Sequence, residues 1–461
     1  MRIIVCVKQK ADGELNPFDA CAYEEALKVQ DAQVILLSMA PEKSKEMLLN
    51  LTRLGAKEAY LLCDKAFAGA DTLATSYTLS QAIKKIGADL VFCGRQTVDG
   101  DTAQVGPGVS EFLKFNLISN VLEIKQISDK VVCKTRNLEN VAKKLPCVLT
   151  IERINDLRKP SLRSELGTVT VLKAEDIDAD ISRCGLSGSP TQVIKSFENN
   201  SDKRKCQFIQ KEEFFNVVQK SLNKEIIKED SINDGAKLKN VWIMGEKPIE
   251  YAKSISDDIK IIEQLSFEEI VNKIKEENPS VILWDSTPYS KEMAARVAVA
   301  LQTGLCADCT KLETDGQNLF MYRPAFSGNI IAKIKCKTMP QMATVRTGES
   351  NQKQIILAVG KGAKEHINDI YNLAQKLDAE VVASRGAVDS GLMEYPAQIG
   401  LTGRCVSPLV YIAFGVSGAV HHIVGMKNSG TVIAVNCDKK APVFEYADYG
   451  IILDINEFFR S

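Results

Sequence analysis

Residues 87–113, GADLVFCGRQTVDGDTAQVGPGVSEFL, pass from an apolar run through a loop dense in acids, amides and glycines into a segment with helical spacing. Upstream, short apolar runs alternate with helix-period segments: RIIVCV (2–7), DACAYEEALKV (19–29), AQVILLSMA (32–40), SKEMLLNLTRLGA (44–56), EAYLLC (58–63), TLATSYTLSQAIKKIGA (72–88) and DLVFCG (89–94). This alternation predicts a mostly parallel sheet covered by helices. Met47, Leu48, Leu51 and Leu54 share one helical face. Open parallel sheets bind ligands at the carboxyl ends of their strands, and the quoted loop leaves such an end.

The chain has 461 residues, room for about three domains of ordinary size. Its 58 Lys and Arg nearly cancel 59 Asp and Glu, so charge gives no footprint for nucleic acid or an anionic membrane. The first apolar run is too short for a secretory segment and no stretch has membrane-spanning length, which predicts a cytoplasmic protein without membrane insertion. Thirteen cysteines are scattered, with Cys6, Cys63, Cys93 and Cys437 singly inside strand-like runs, as expected of buried thiols in a reducing compartment. Cys306 and Cys309 form a C-x-x-C, read as a packed helix end ahead of a redox or zinc site. No metal site is expected.

From about Asn137 the pattern turns irregular, and from Gly185 to Leu238 it is polar apart from EEFFNVVQKSLNKEI (212–226). This predicts a nucleotide-binding domain with an extended arm over 1–225 and a linker over 226–238. A new α/β segment begins at NVWIMGE and forms a domain over 239–350. The stretch from Ala88 to Val121 echoes the one from Pro279 to Cys309: strand, polar loop, helix, then NLISN against GLCAD. The second copy lacks DGDT, as if emptied of ligand. A third unit, 354–461, opens with QIILAVGKGAK, continues through HINDIYNLAQKL and AEVVAS, and carries the densest chemistry.

In YIAFGVSGAVHHIVG (411–425) a strand enters Gly415-Val-Ser-Gly418 and then a helix, which can cradle a pyrophosphate or let the helix pack closely on the sheet. Arg385 and Gly386 close another strand, and Thr402 and Gly403 lie in a loop on the same edge. A guanidinium there would stabilise an anionic ligand; a surface ion pair is the ordinary alternative. His421 and His422 are two of three histidines. Neighbours in sequence cannot share a helix face, so one points to the site and the other packs or caps.

VVASRGAVDSG, AQIGLTGRCVSPLVYIAFGVSGAVHHIVGMKNS and VIAVNCDKKAPVFEYADYGIILD resemble the FAD domain of the electron transfer flavoprotein α subunit. The opening loop, with VKQK, NPFDACAYEEAL and PSLR, resembles the β subunit of the same family. The resemblance spans nearly the whole chain and implies a fused flavoprotein, β-like half first. It also implies a three-domain α/β fold: two related parallel-sheet, nucleotide-binding-type domains as a base, and a C-terminal doubly wound FAD-binding domain.

Carried over by resemblance, Arg385 lies over the flavin ring, Thr402 reaches its N5 side and His422 its pyrimidine side. Gly386, Gln398, Gly403, Ser407, Gly415, Ser417, Gly418, Asn436, Asp438 and Asp454 complete the FAD set, with Ser417 near the phosphates and Asn436 and Asp454 at the adenosine end. Leu401 stands where the family pattern has glutamine, and Gly360-Lys361-Gly362 replaces its G-R-G. In the first half, Cys6, Asn16, Met39, Asp99, Asp101, Thr102, Gln104 and Val105 would line a second nucleotide pocket, where Gly100, Gly106 and Gly108 give room for a diphosphate. A Mg²⁺ site at Asp99 and Asp101 is the alternative for that loop.

Simple carriers of the family hold one FAD and a structural AMP. Bifurcating members hold a second FAD, oxidise NADH, and divide the electrons between ferredoxin or flavodoxin and an acyl-CoA dehydrogenase-type flavoenzyme. DGDTAQVGP with GLCADCT, YRPAFSGNI and PQMATVR resembles the bifurcating type, whereas the short ADGEL loop (11–15) does not. A nucleotide-binding regulatory protein would account for the first pocket but not for GVSGAVHH, and a dehydrogenase acting alone would need acid–base groups that the sequence scarcely offers.

Overall fold

Short strands buried on both faces pair in parallel in every large sheet of this chain, because each is followed by a helix or long crossover that covers a face. The computed structural model describes residues 1–136, 139–198, 203–222, 236–263, 265–325, 330–346, 353–400, 403–404, 406–427 and 429–460. Their contacts divide them into two compact units, one from residues within 1–196, 233–326 and 331–346, the other from residues within 197–232, 327–330 and 347–461.

The first unit holds a nine-stranded sheet. Strand Arg2–Cys6 lies at its centre, with Gln33–Met39, Glu58–Leu62 and Thr168–Leu172 in order on one side. On the other side come Leu90–Gly94, Cys147–Ile151, Asn116–Ile127 and an antiparallel extension, Lys130–Thr135 and Asn140–Lys144. Leu48 and Leu51 are buried, with Met47 and Leu54 packed against the same cluster, as the helical spacing predicts. The region beyond Asn137 is more regular than its sequence pattern: Cys147–Ile151 is a fully buried central strand.

The same unit contains a five-stranded parallel sheet ordered Ile259–Ile262, Val241–Met244, Val281–Asp285, Gln341–Val345, Leu305–Cys309. The sequence echo is a structural one. In each copy a strand and helix lead to a second strand, and a later strand inserts between the two. Asn120 and Asp308, aligned in the echo, both take positive φ (56° and 58°) at a break in strand register. Each donates its backbone N–H to a threonine hydroxyl on the inserted strand, Thr150 and Thr344, at 2.9 Å. Helices Val105–Leu113 and Pro288–Leu301 of the two copies pack together, joined by Arg296 and Glu111 at 3.2 Å.

Cys306 and Cys309 lie on a buried strand rather than at a helix end, inside the apolar core of the second copy. Cys6 and Cys93 are buried as expected, but Cys63 is half-buried and Cys437 exposed, each just past its strand.

The second unit has six parallel strands, Gln207–Phe208, Tyr449–Ile452, Thr431–Asn436, Val410–Phe414, Ile355–Val359 and Glu380–Ala383. This is a doubly wound sheet with an added edge strand. That edge corrects the expected 1–225 domain, because the end of the arm belongs to the second unit. Gln207 N–H donates to Asp448 O at 2.8 Å, and helix Phe214–Leu222 buries Phe214 and Val218 in the core with Phe458. The Arg204 guanidinium donates to the carbonyls of Lys427 (3.1 Å), Ser429 (2.6 Å) and Gly430 (3.0 Å) and pairs with Asp448. Most of the expected linker lies outside the described residues; its last residue, Leu238, is buried and bridges to Ser256 in the five-stranded sheet's domain. No helix among the described residues is long and apolar enough to cross a membrane.

Phe214 is 1% exposed, so truncation leaves a cavity in the core of the second unit. Phe214→Ala should destabilise that unit by about 3–5 kcal/mol in urea unfolding of the whole chain. A loss below about 1 kcal/mol would show that the arm contributes little to that unit.

Candidate functional sites

In the first unit, strands Gln33–Met39 and Leu90–Gly94 flank Arg2–Cys6 on opposite sides, so the crossovers diverge and open a crevice at the carboxyl ends of Arg2–Cys6 and Leu90–Gly94. Cys6 and Cys93 are register partners there, and Met39 ends the next strand half-buried. The Cys6 thiol and burial push Cys93 well above the ordinary thiol range, which keeps it protonated.

Two side chains from the NPFD turn tie the crevice loops together. Asn16 is fully buried; its Nδ2 donates to Gln96 O at 2.9 Å and its Oδ1 accepts from Val98 N–H at 3.3 Å. Asp19 accepts the Lys8 N–H at 2.8 Å, with Asn16 and Gly94 also donating to it. A Cβ on Gly94 would stand 2.2 Å from Asp19 Oδ1, so only glycine leaves room for this carboxylate. Burial pushes Asp19 up to about 7 despite those donors.

Past Gly94 the loop crosses to the head of helix Val105–Leu113. Gln96 Nε2 donates to Asp101 Oδ1 at 3.2 Å, and Asp99 lies 3.4 Å from Lys8 Nζ. Asp101 (φ 51°) and Ala103 (φ 56°) occupy the left-handed region, a conformation costing about 1–2 kcal/mol each for an L-residue. The backbone N–H groups of Thr102, Ala103, Gln104, Val105 and Gly106 donate to nothing in the chain among the described residues. Successive amides at the head of a helix form an anion site, and the helix dipole favours negative charge there.

Gln104 contributes to this site differently from the expectation. Its side chain accepts from Thr72 Oγ1 at 2.5 Å and donates to Leu305 O at 3.3 Å, leaving its N–H for the crevice. Gly106 and Gly108 serve packing rather than ligand room: a Cβ would stand 2.4 Å from Thr150 Cγ2 and 2.5 Å from Ser76 Oγ, respectively. Among the described residues no group of three or more His, Cys, Asp or Glu side chains is placed to hold a metal ion.

In the second unit the expected residues gather on one edge of the sheet. Gly415 to Gly418 follow Val410–Phe414, Asn436 and Asp438 stand at the end of Thr431–Asn436, Asp454 follows Tyr449–Ile452, and Arg385 and Gly386 follow Glu380–Ala383. The N–H groups of Val416, Ser417 and Gly418 and the exposed Ser417 hydroxyl have no partner in the chain among the described residues. Asn436 Nδ2 holds Val416 O at 3.0 Å. Gly418 (φ 86°) lies so close to Val443 that a Cβ would stand 2.1 Å from its amide nitrogen. These donors fit the pyrophosphate of a dinucleotide.

Arg385 begins helix Arg385–Asp389 and pairs with Asp389 at 3.2 Å, its side chain 29% exposed. Gln398 is buried and bridges to Ala383; Gly403 lies beside it, and Ser407 is exposed. Asp454 caps the final helix through Asn456 N–H at 2.8 Å. The two histidines divide as the helix geometry predicts: His421 is exposed, His422 buried. His422 Nε2 lies 2.9 Å from the Tyr411 hydroxyl, and burial lowers His422 to about 4, so it is a neutral imidazole at pH 7. Thr402 and Leu401 lie outside the described residues.

Asp19 was not singled out from the sequence; the signal available was an acid two residues past a proline at a helix start. Its elevated pKa makes a prediction. Between the ordinary carboxylate range near pH 4 and about pH 7 the folded chain holds a proton that the unfolded chain has lost. The stability of the protonated group is therefore complete below about pH 4 and lost as pH rises through about 7. Relative to wild type, Asp19→Asn should gain stability between pH 5 and pH 8 in denaturant titrations; an unchanged difference would contradict the assignment.

The profile of the electron transfer flavoprotein domain matches residues 3–177 and 268–370, and that of the electron transfer flavoprotein FAD-binding domain matches 350–427. The chain is 41% identical over 230 residues to the caffeyl-CoA reductase–Etf complex subunit CarD of Acetobacterium woodii, covering 43% of this chain and 87% of that one. In Thermoanaerobacterium thermosaccharolyticum it is 39% identical over 227 residues to an electron transfer flavoprotein α subunit (39% of this chain, 69% of that one). It is 38% identical over 210 residues to a β subunit from the same organism (43% and 80%). One polypeptide thus carries what these relatives divide between two subunits. The chain belongs to the electron transfer flavoprotein family, with β-like and α-like parts fused.

Proposed function

We propose that this protein is a bifurcating electron transfer flavoprotein of the cytoplasm. NADH is oxidised at a FAD held in the crevice of the first unit. One electron leaves for ferredoxin or flavodoxin, and the other passes by way of the FAD of the second unit to an acyl-CoA dehydrogenase-type flavoenzyme. FAD, when bound, supplies hydride acceptance and one-electron release. The protein supplies phosphate donors, ring electrostatics and exclusion of water.

The observation that carries this reading is the run of amides from Thr102 to Gly106 without partners among the described residues, an anion site at the end of the crevice. The name of CarD places that relative in a complex with a caffeyl-CoA reductase, and another relative, 38% identical over 236 residues, is the protein FixA of Sinorhizobium fredii. In the second unit Arg385 favours negative charge on a bound ring, and neutral His422 offers hydrogen bonding without adding a charge.

One observation favours a carrier with FAD and structural AMP. Residues Ala11 to Leu15 form a tight turn, with Lys10 N–H donating to Glu14 O at 2.8 Å and Lys10 Nζ 2.7 Å from Asp12, leaving little chain to cover a second ring.

Purified protein should be yellow, release two FAD per chain on denaturation and bleach on adding NADH. Asp101→Ala should abolish NADH oxidation while the FAD of the second unit is retained. One FAD plus one AMP per chain, with no bleaching by NADH, would replace this reading with the carrier.

A further inference from the structure

The amide-lined loop of the first pocket does not hold its shape by its own contacts alone. Arg323, on strand Leu319–Ala325 of the α-like part, donates from Nη2 to Gly100 O at 2.6 Å. That carbonyl immediately precedes the left-handed residue Asp101 and the amides beginning at Thr102. Arg323 is 7% exposed, and its buried Nε has no hydrogen-bond partner among the described residues. Gln104 ties the far end of the loop to Leu305 O, also in the α-like part. Both ends of the strained segment are therefore held from the second half of the chain.

The surrounding charge has a direction. Lys291 Nζ lies 2.7 Å from Asp308, Arg346 lies 3.8 Å from it, and Arg323 adds to the same field. Three cations thus gather on one buried carboxylate beside the loop.

We propose that Arg323 is a positioning residue for the nucleotide of the first pocket, so that the β-like part binds its phosphates only with the α-like part in place. This rests on the reading that the Thr102–Gly106 amides hold an adenine nucleotide. Arg323 acts on the ligand through Gly100 rather than by contact.

The test uses the full chain, with adenine nucleotides released by denaturation counted and the exchange of bound nucleotide against added AMP or FAD followed separately. Wild type should release two adenine nucleotides per chain. Arg323→Gln should keep the FAD of the second unit and release the other nucleotide about ten- to a hundred-fold faster, the weight of one lost charge-assisted hydrogen bond. Arg323→Lys, which keeps a cationic donor, should recover part of that loss. Two nucleotides with wild-type exchange rates in Arg323→Gln would overturn the assignment. A wild-type chain releasing a single nucleotide would overturn the pocket reading, and the assignment with it. If Arg323→Gln does not fold, Arg323→Lys decides: wild-type exchange would overturn the assignment, and faster exchange with the second unit's FAD retained would support it.

Discussion

Five successive backbone N–H groups at the head of one helix, Thr102 to Gly106, have no partner in the chain among the described residues, and the first pocket is organised around keeping them so. Thr102, Ala103 and Val105 are half-buried, so water or a ligand can complete their amides. Asn16 fixes the loop's start through Gln96 and Val98, Asp19 occupies the space that a side chain on Gly94 would fill, and Arg323 holds Gly100. Two left-handed residues aim the amides, at a strain cost these contacts offset.

The second unit meets the same requirement with fewer parts. A strand ends at Phe414, three amides and a hydroxyl follow Gly415, and Gly418 approaches Val443 closely. The duplicated fold of the first unit shows what happens when the requirement is dropped. The α-like copy keeps the strand, helix and bulge, including the threonine hydroxyl under Asp308, but goes directly from Asp285 to a helix beginning at Pro288. In that copy Lys291 pairs with Asp308, and Arg346 and Arg323 act on the same carboxylate. Fusion into one chain keeps those two copies together at high effective concentration.

Much of this was legible in the sequence because strands buried on both faces read as plain apolar runs, and because the echo between residues 88–121 and 279–309 kept its turn positions. Cys147–Ile151 was missed: a five-residue strand beside a proline and lysines has too little pattern to stand out. The arm was placed with the wrong unit, since nothing in Phe214 or Val218 states which core will receive it. Gln104 and Gly108 have the residue types of a ligand site, yet packing between copies claims the Gln104 side chain and the space beside Gly108. Asp19 and Arg323 act through backbone atoms of distant loops, and local sequence carries no record of such partners.

Hydrogen–deuterium exchange of the full chain reports whether the amides of Thr102 to Gly106 donate to a phosphate. Peptides covering residues 96–113, compared before and after removal of bound nucleotide and again after adding back FAD or AMP, should exchange slowly with nucleotide and quickly without it. Residues 415–420 should respond to FAD alone. Exchange in 96–113 that is indifferent to every added nucleotide would show that these amides hold no phosphate.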